Sequence, residues 1–197
     1  MSNVEVILRL PDWAEPLLKD STKIYPTVEE RMELTIRLAR LNIEHRTGGP
    51  FGAGIFDREN GCLIAVGVNR VESLNCSIAH AEMMAIAIAQ HVIGCYDLAN
   101  EGDTEYELVT NTEPCAMCLG AIGWSGVRSV VCGARDEDAR AIGFDEGSKP
   151  DNWVKSLEDR RISVRREVLR ERAKAILLEY NERGGLIYNP RKNETSA

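Results

Sequence analysis

The chain has 197 residues, 44% of them hydrophobic and 28% charged, with a formal net charge of −7 and a pI of about 5.1. This length and composition are typical of one globular domain with a sizeable core, with or without a tail. The acidic balance argues against nucleic acid as the main partner, because proteins that neutralise a phosphate backbone usually carry a basic surface.

The N-terminal segment, residues 1–26, does not have the pattern of an export signal. It lacks a basic start followed by a long apolar run, and no stretch of the chain approaches the roughly 20 apolar residues that span a bilayer. We therefore expect a cytoplasmic protein without membrane contact. In a reducing compartment, six cysteines favour metal ligands or buried thiols over disulfides.

The first predicted elements are a short extended segment at 4–10 and a helix that begins after Thr27. Thr27 is a suitable N-cap, Glu29 and Glu30 fall in the first turn, and apolar residues recur at helical spacing as far as Ile43. The glycines and the proline of TGGP then end the helix.

A hairpin and a series of alternating helices and strands follow. FGAGIFD at 51–57 and CLIAVGVN at 62–69 are strand-like, and the turn RENG joins them. The later predicted elements are a helix from near His80 to His91, a strand at 106–112, a helix from Cys115, a strand at 128–134, a helical turn EDARAIG, the loop FDEGSKPDNW, a strand at 162–168, and a helix at 169–183 before a tail. This alternation predicts a sheet that is covered on both faces.

A polar pair opens the otherwise apolar helix AHAEMMAIAIAQ. His80 and Glu82 lie in its first turn, and further along the chain Cys115 and Cys118 have a C-x-x-C spacing after Pro114. Two thiolates and one imidazole would give zinc three protein ligands and leave the fourth tetrahedral position to water, which is the catalytic arrangement. Zinc lowers the pKa of water from about 16 toward about 7, and Glu82 is placed to move that water's proton.

Simpler interpretations of the same cysteines stay open at this point. A structural zinc site would normally supply four protein ligands, and no second C-x-x-C is present. A redox dithiol would need a thioredoxin-like setting, which the preceding proline fits poorly. The remaining cysteines read as small buried residues or idle thiols: Cys62, Cys76, Cys95 and Cys132.

The stretches HAE at 80–82 and PCAMC at 114–118 together resemble the zinc-dependent cytidine and deoxycytidylate deaminase superfamily, whose known signature is H-x-E with P-C-x-x-C. A finer resemblance is to the bacterial guanine deaminases of that fold. The stretches that carry it are GGPFGAGIF, VNRV, EPCAMCLGAIGWSGV, AIGFDEG and the terminal YN…GGLIYNP.

This resemblance implies a fold and a domain division. The fold is a cytidine deaminase-like three-layer α/β/α arrangement with a mixed five-stranded sheet. The division is an N-terminal extension at 1–26, a catalytic domain at 27–170, and a C-terminal helix and tail at 171–197.

The resemblance also implies zinc-dependent hydrolysis of guanine to xanthine and ammonia in purine catabolism or salvage. A zinc-activated water would attack C2, and Glu82 would pass protons to N3 and then to the departing amine. Glu146, with Asp145 as the alternative, would accept hydrogen bonds from the guanine NH and exocyclic amine. The ligands of one zinc ion per subunit would be His80, Cys115 and Cys118.

Further substrate contacts that the resemblance implies are Phe51, Asn69, Ala81, Trp124 and Tyr188. The Asn69 amide would read the purine, and Phe51 and Trp124 would stack on it or wall the pocket. In family members the C-terminal segment crosses to a partner subunit, so Tyr188 would complete the neighbouring site of a domain-swapped homodimer. From the residues alone, Asn69 could instead be a turn residue, Glu146 a solvated loop acid and Trp124 part of the core.

Three kinds of function are compatible with the motif. The first is guanine deamination, and the second is deamination of another substrate: adenosine in tRNA, another aminopurine, a nucleoside or an aminotriazine. An editing enzyme would need a basic surface around the pocket, which the acidic pI disfavours. The third is a non-enzymatic zinc module, in which Glu82→Gln would leave the function intact.

Overall fold

A single mixed sheet organises the protein, whose computed structural model describes residues 5–19, 23–99 and 104–189. Its five strands are β1 (Gly52–Asp57), β2 (Leu63–Val68), β3 (Tyr106–Thr112), β4 (Ser129–Ala134) and β5 (Ser163–Arg165). They lie in the order β2-β1-β3-β4-β5. β1 pairs antiparallel with β2 and β3, whereas β4 pairs in parallel with β3 and β5. The prediction of a mixed five-stranded sheet is confirmed.

Helices cover both faces of this sheet. They are α1 (Glu15–Lys19), α2 (Val28–Glu44), α3 (Ala81–Ile93), α4 (Ala116–Ser125), α5 (Asp136–Ala141), α6 (Trp153–Glu158) and α7 (Arg170–Glu182). One apolar cluster joins α2 and α7 to the sheet, and a second joins α3, α4 and α6 to the opposite face. Alternate strand residues belong to the two clusters, with Phe56, Val109 and Val131 in the first and Ile55, Leu108 and Val130 in the second. The predicted three-layer arrangement is therefore confirmed.

The start of α2 follows the predicted capping pattern. Thr27 Oγ1 accepts from the Glu30 backbone N–H at 3.2 Å, and the Glu30 carboxylate accepts from the Thr27 N–H at 2.9 Å. This reciprocal capping box satisfies two backbone donors at the helix end. None of the helices in the described ranges is long and apolar enough to cross a membrane.

Three short features differ from the sequence prediction. β5 covers only Ser163–Arg165 instead of 162–168, because Glu167 (φ 65°) and Leu169 (φ 51°) adopt left-handed backbone that a strand cannot continue. α6 begins at Trp153, the last residue of the predicted loop FDEGSKPDNW, and residues 5–10 form no strand. α1 was not predicted at all.

A close approach of α3 to β2 positions the candidate site. A Cβ added to Gly67 would lie 2.0 Å from the Ala81 carbonyl oxygen and 2.5 Å from the Ala85 nitrogen. Only glycine therefore lets the first turn of α3 rest on the strand. The segment after β3 leads directly into α4, so the N-termini of two helices meet at one edge of the sheet.

Candidate active site

Three metal-ligating side chains converge where α3 and α4 begin. His80 is the N-cap of α3, Cys115 is the N-cap of α4, and Cys118 lies in the first turn of α4. The His80 Nδ1 atom lies 3.5 Å from Cys115 Sγ and 3.6 Å from Cys118 Sγ. The structure thus brings the three predicted ligands together.

The spacing of these donors fits zinc. Typical zinc–sulfur and zinc–nitrogen bonds at a tetrahedral angle place the nitrogen and sulfur about 3.6 Å apart, and the three donor atoms lie within 4.8 Å of one another. Within the described ranges this group has three members, and Glu82 is not one of them. A structural site with four protein ligands is therefore not what these residues form.

Charge at the donor cluster favours metal binding. A hydrogen bond from Cys118 and the nearby His80 lower the pKa of Cys115 to about 4, and the contact with Cys115 raises the pKa of Cys118 well above its usual value. Burial lowers the pKa of His80, but Cys115 outweighs it and the pKa is raised. Two thiols of which one ionises readily suit a cation, because metal binding displaces the thiol proton that remains.

Glu82 lies beside these ligands in the first turn of α3. It is 6% exposed and lines the cavity above the donors. Burial, followed by the charge of Cys115, raises the pKa of Glu82 to about 7. A carboxyl group with a pKa near the working pH both accepts and releases protons readily, which suits proton transfer.

A cavity of about 550 Å³ opens above the donor cluster. Of the predicted site residues, those that line it are Phe51, Asn69, His80, Glu82, Cys115, Asp145, Glu146 and Tyr188. Cys118 is buried directly behind it, in contact with His80. Ala81 is fully buried and is not part of the lining.

Trp124 is a correction to the sequence analysis. It is 82% exposed and does not line the cavity, so it neither walls the pocket of its own chain nor belongs to the core. The reason is helical periodicity, because α4 buries Cys118, Ile122 and Ser125. Trp124 lies two residues after Ile122, which places it on the opposite face of the helix.

Asn69 offers an unpaired donor to the cavity. Its side chain is completely buried, and its Oδ1 atom accepts from the Val71 N–H at 3.3 Å. Its Nδ2 atom has no hydrogen-bond partner among the described residues. A buried amide donor is rarely left unpaired in a folded protein, so this one is available to a ligand acceptor.

The two neighbouring acids of the FDEG loop, Asp145 and Glu146, lie in different environments. Glu146 is 6% exposed, and burial together with the charges of Cys115 and Glu82 raises its pKa to about 8. Asp145 is exposed, and its carboxylate accepts from the Gly147 N–H at 2.9 Å within the loop itself. Glu146 is therefore the better placed of the two to meet a ligand in the cavity.

Aromatic rings form one wall of the cavity. The Phe144 ring centroid lies 5.0 Å from that of Phe51 and 5.2 Å from that of Tyr188. Tyr188 also stands edge-on to His80, at 6.4 Å between centroids. Tyr188 therefore lines the cavity of its own chain in this structure.

Sequence reasoning missed three contributors to the site. Phe144 lies in the FDEG stretch, but a single phenylalanine in a loop does not indicate a cavity wall. Glu113, just before the zinc turn, is 4% exposed and accepts from Arg166 Nε at 2.6 Å. Asn189 accepts from the Asp145 N–H at 2.9 Å and donates to the Gly143 carbonyl at 2.7 Å, which ties the tail to the loop.

Known proteins are similar to this chain in sequence and fold. The profile of the cytidine and deoxycytidylate deaminase zinc-binding region matches residues 26–134. The guanine deaminase of Bacillus subtilis (strain 168) is 37% identical over 143 residues, which cover 73% of this chain and 87% of that protein. The solved guanine deaminase from Nitrosomonas europaea superposes with a TM-score of 0.87 at 44% identity, over 92% of this chain and 100% of the other. A structure solved in complex with 2,6-diaminopurine has a TM-score of 0.89 and 46% identity, over 95% and 98% of the two chains.

Proposed function

The chain belongs to the zinc-binding cytidine and deoxycytidylate deaminase family, and we propose that it hydrolyses guanine to xanthine and ammonia. The observation that carries this proposal is a three-donor metal site beside the buried Glu82, in a cavity whose wall presents a carboxylate and an unpaired amide. The relatives described as guanine deaminases support the choice of substrate.

Guanine matches the polar groups of the cavity. It presents two adjacent donors, the ring N1–H and the amino group at C2, and acceptors elsewhere on the ring. The Glu146 carboxylate accepts from that pair, and Asn69 Nδ2 donates to a purine acceptor. Adenine and cytosine present no such adjacent pair of donors, so the same contacts would leave Glu146 unpaired.

Each step of guanine hydrolysis can be assigned to particular residues of the cavity. Zinc bound to the three donors would supply the Lewis acidity that makes water nucleophilic near neutral pH. Glu82 takes the proton of the water that adds at C2 and delivers it to N3. A second proton passes through Glu82 to the exocyclic nitrogen, which leaves as ammonia, so that guanine and water yield xanthine and ammonia. Phe51 and Phe144 pack against the base and exclude other water.

Turnover of free bases tests this proposal. Zinc-loaded protein should consume guanine, measured by its ultraviolet absorbance, and release ammonia in equal amount. Glu82→Gln should keep zinc and the fold but lower kcat by about 10²- to 10⁴-fold. Glu44→Gln is the matched control, because Glu44 is exposed at the end of α2 and should leave the rate unchanged.

The alternatives are separate outcomes of the same screen. Turnover of another aminopurine, a nucleoside or an aminotriazine without turnover of guanine would replace the substrate. Editing of an anticodon stem-loop would favour a tRNA adenosine deaminase. Full activity of Glu82→Gln in any assay would point to a zinc module without catalysis.

The proposal extends to a cytoplasmic homodimer with a small nucleobase as substrate. Met117, 36% exposed, and Trp124, 82% exposed, are seven residues apart and share one face of α4, which supports contact with a second copy. Light scattering should give twice the chain mass, and Trp124→Glu should reduce it to a monomer. Exchange of residues 171–197 between subunits stays a prediction, as does the domain division at 26/27 and 170/171.

A further inference from the structure

The loop that carries Glu146 has no regular secondary structure of its own. It spans residues 143–152 between α5 and α6. Its backbone is held where the Ala116 N–H donates to the Glu146 carbonyl at 2.9 Å and where Arg140 Nη2 donates to the Gly147 carbonyl at 2.7 Å. The position of the Glu146 carboxylate therefore depends on what anchors the loop.

Lys149 is a buried cation that anchors this loop to two other segments. Its side chain is 6% exposed, and its Nζ atom lies 2.7 Å from Asp136 Oδ2 and donates to the Pro114 carbonyl at 3.0 Å. The ammonium also lies 5.2 Å from the ring centroid of Trp153. Burying an ammonium carries a large desolvation cost, which is offset only when its partners are fixed in good geometry.

The Pro114 carbonyl belongs to the turn that holds a metal ligand. Because the peptide unit is planar, fixing this oxygen also fixes the direction in which the chain enters Cys115, the N-cap of α4. The Lys149 ammonium thus constrains Cys115. It also constrains Glu146, which lies three residues before Lys149 in the same loop.

A closed ring of contacts reinforces this constraint. Asp136 accepts from Lys149 through one oxygen and from Arg140 Nε through the other, at 2.6 Å. Arg140 in turn donates to the Gly147 carbonyl, two residues before Lys149. A ring closed in this way resists displacement of any one member without breaking a charged contact.

We propose that Lys149 is a positioning residue that couples the placement of Glu146 to that of Cys115. It acts through the Pro114 carbonyl and Asp136 and does not line the substrate cavity. The role of Glu146 in this inference rests on the proposed deaminase function, whereas the role toward Cys115 concerns metal binding alone.

Lys149→Met tests the proposal in the full-length zinc-loaded protein. We expect kcat/KM for guanine to fall at least about tenfold, since small misplacements of reacting groups are costly in rate. We also expect zinc to transfer to a chelator several times faster. The matched control is Lys155→Met, because Lys155 pairs with Asp159 at the same 2.7 Å but is 68% exposed; it should match the wild type in both measurements.

The effect of Lys149→Met on kcat/KM in a Glu146→Gln protein distinguishes a positioning role from general destabilisation. If Lys149 acts through Glu146, Lys149→Met should reduce kcat/KM much less in a Glu146→Gln protein than in the wild type. A merely structural loss would multiply the rates by the same factor in both backgrounds. Equal factors, or a Lys149→Met protein that behaves like Lys155→Met, would overturn the proposal.

Asp136→Asn keeps the test decisive if Lys149→Met does not fold. It retains an oxygen that can accept from Lys149 but removes the charge, so zinc release should accelerate by a smaller factor than in Lys149→Met. Wild-type zinc release and kcat/KM in Asp136→Asn would reject the role of the ring. If the wild-type protein binds zinc but does not convert guanine, only the proposed deaminase function is rejected. The link between Lys149 and Cys115 is then still tested by the rate of zinc release.

Discussion

At the scale of single residues, the site depends on acids kept away from solvent. Glu82 and Glu146 are each 6% exposed, and the pKa values of both are raised, to about 7 and about 8. Burial is the first cause in each case, and the charge of Cys115 adds to it. In the proposed mechanism each acid must be ionised to act, Glu82 to take a proton and Glu146 to accept two hydrogen bonds.

This ionisation predicts a pH dependence of catalysis. Because a raised pKa keeps an acid protonated at higher pH, kcat/KM for guanine should rise as the pH increases toward about 8. Bound zinc would lower the pKa values of Glu82 and Glu146, so the rise in kcat/KM should occur at or below a pH of about 8. A pH–rate profile of kcat/KM measures it, since this ratio reports groups of the free enzyme.

Glu146→Gln separates the two acids. The variant retains only the ionisation of Glu82, so the acid side of its profile should be shallower than that of the wild type. Profiles of the same shape would show that Glu146 does not titrate in the working range.

At the scale of elements, one buried side chain joins α2 to the site. Asn42, fully buried near the end of α2, donates through Nδ2 to the carbonyls of Gly49 and Asn69, both at 2.8 Å. Its Oδ1 accepts from Thr47 Oγ1 at 2.6 Å, and Thr47 accepts from Trp13 Nε1 at 3.1 Å. This chain of hydrogen bonds links the N-terminal segment to the backbone of Asn69, which lines the cavity.

Asn42→Asp should disrupt this link. The change removes both donors and places a carboxylate against two buried carbonyls, so the free energy of unfolding should fall by about 3 kcal/mol or more. Urea denaturation measures it, with Asn152→Asp as control because Asn152 is exposed and its side chain does not cap α6. A loss below about 1 kcal/mol in Asn42→Asp would contradict the prediction.

The elements that the sequence predicts well are those with a long periodic pattern or a clear cap. α2 satisfies both conditions, and the β1–β2 hairpin is bounded by turn residues on each side. α1 and α6 have 5 and 6 residues, too few to establish a period. β5 was predicted too long because its end is set by two residues with positive φ, for which the apolar pattern gives no signal.

The candidate site shows the same division between local and distant information. His80 with Glu82, and Cys115 with Cys118, are neighbours in sequence whose spacing alone indicates a metal site. Lys149, by contrast, lies in the loop FDEGSKPDNW, where nothing in the sequence indicates a buried cation. Its burial results from contacts with α5 and with the turn before α4, which only the tertiary fold brings together.

At the scale of the whole molecule, the metal donors join two helices on one face of the sheet. Zinc bound there adds its binding free energy to folding, because the unfolded chain has no assembled site. Removing it with a chelator should lower Tm by on the order of 10 °C for a protein of this size. Calorimetry with and without the chelator checks this, and added zinc should restore Tm.

Cys118→Ser supplies the control for zinc removal. It deletes one ligand, so its Tm should already be low and should respond little to the chelator. An unchanged Tm in wild-type protein that has demonstrably lost its metal would show that the donor cluster is stable without a cation.

The position of Tyr188 has a consequence for how the protein becomes active as it is made. His80, Cys115 and Cys118 leave the ribosome well before Tyr188, which follows every helix and strand of the described chain. The aromatic wall over His80 is therefore among the last parts of the cavity to be synthesised. Until α7 and the segment behind it have been made, the cavity above the metal donors lacks this wall and stays open to water.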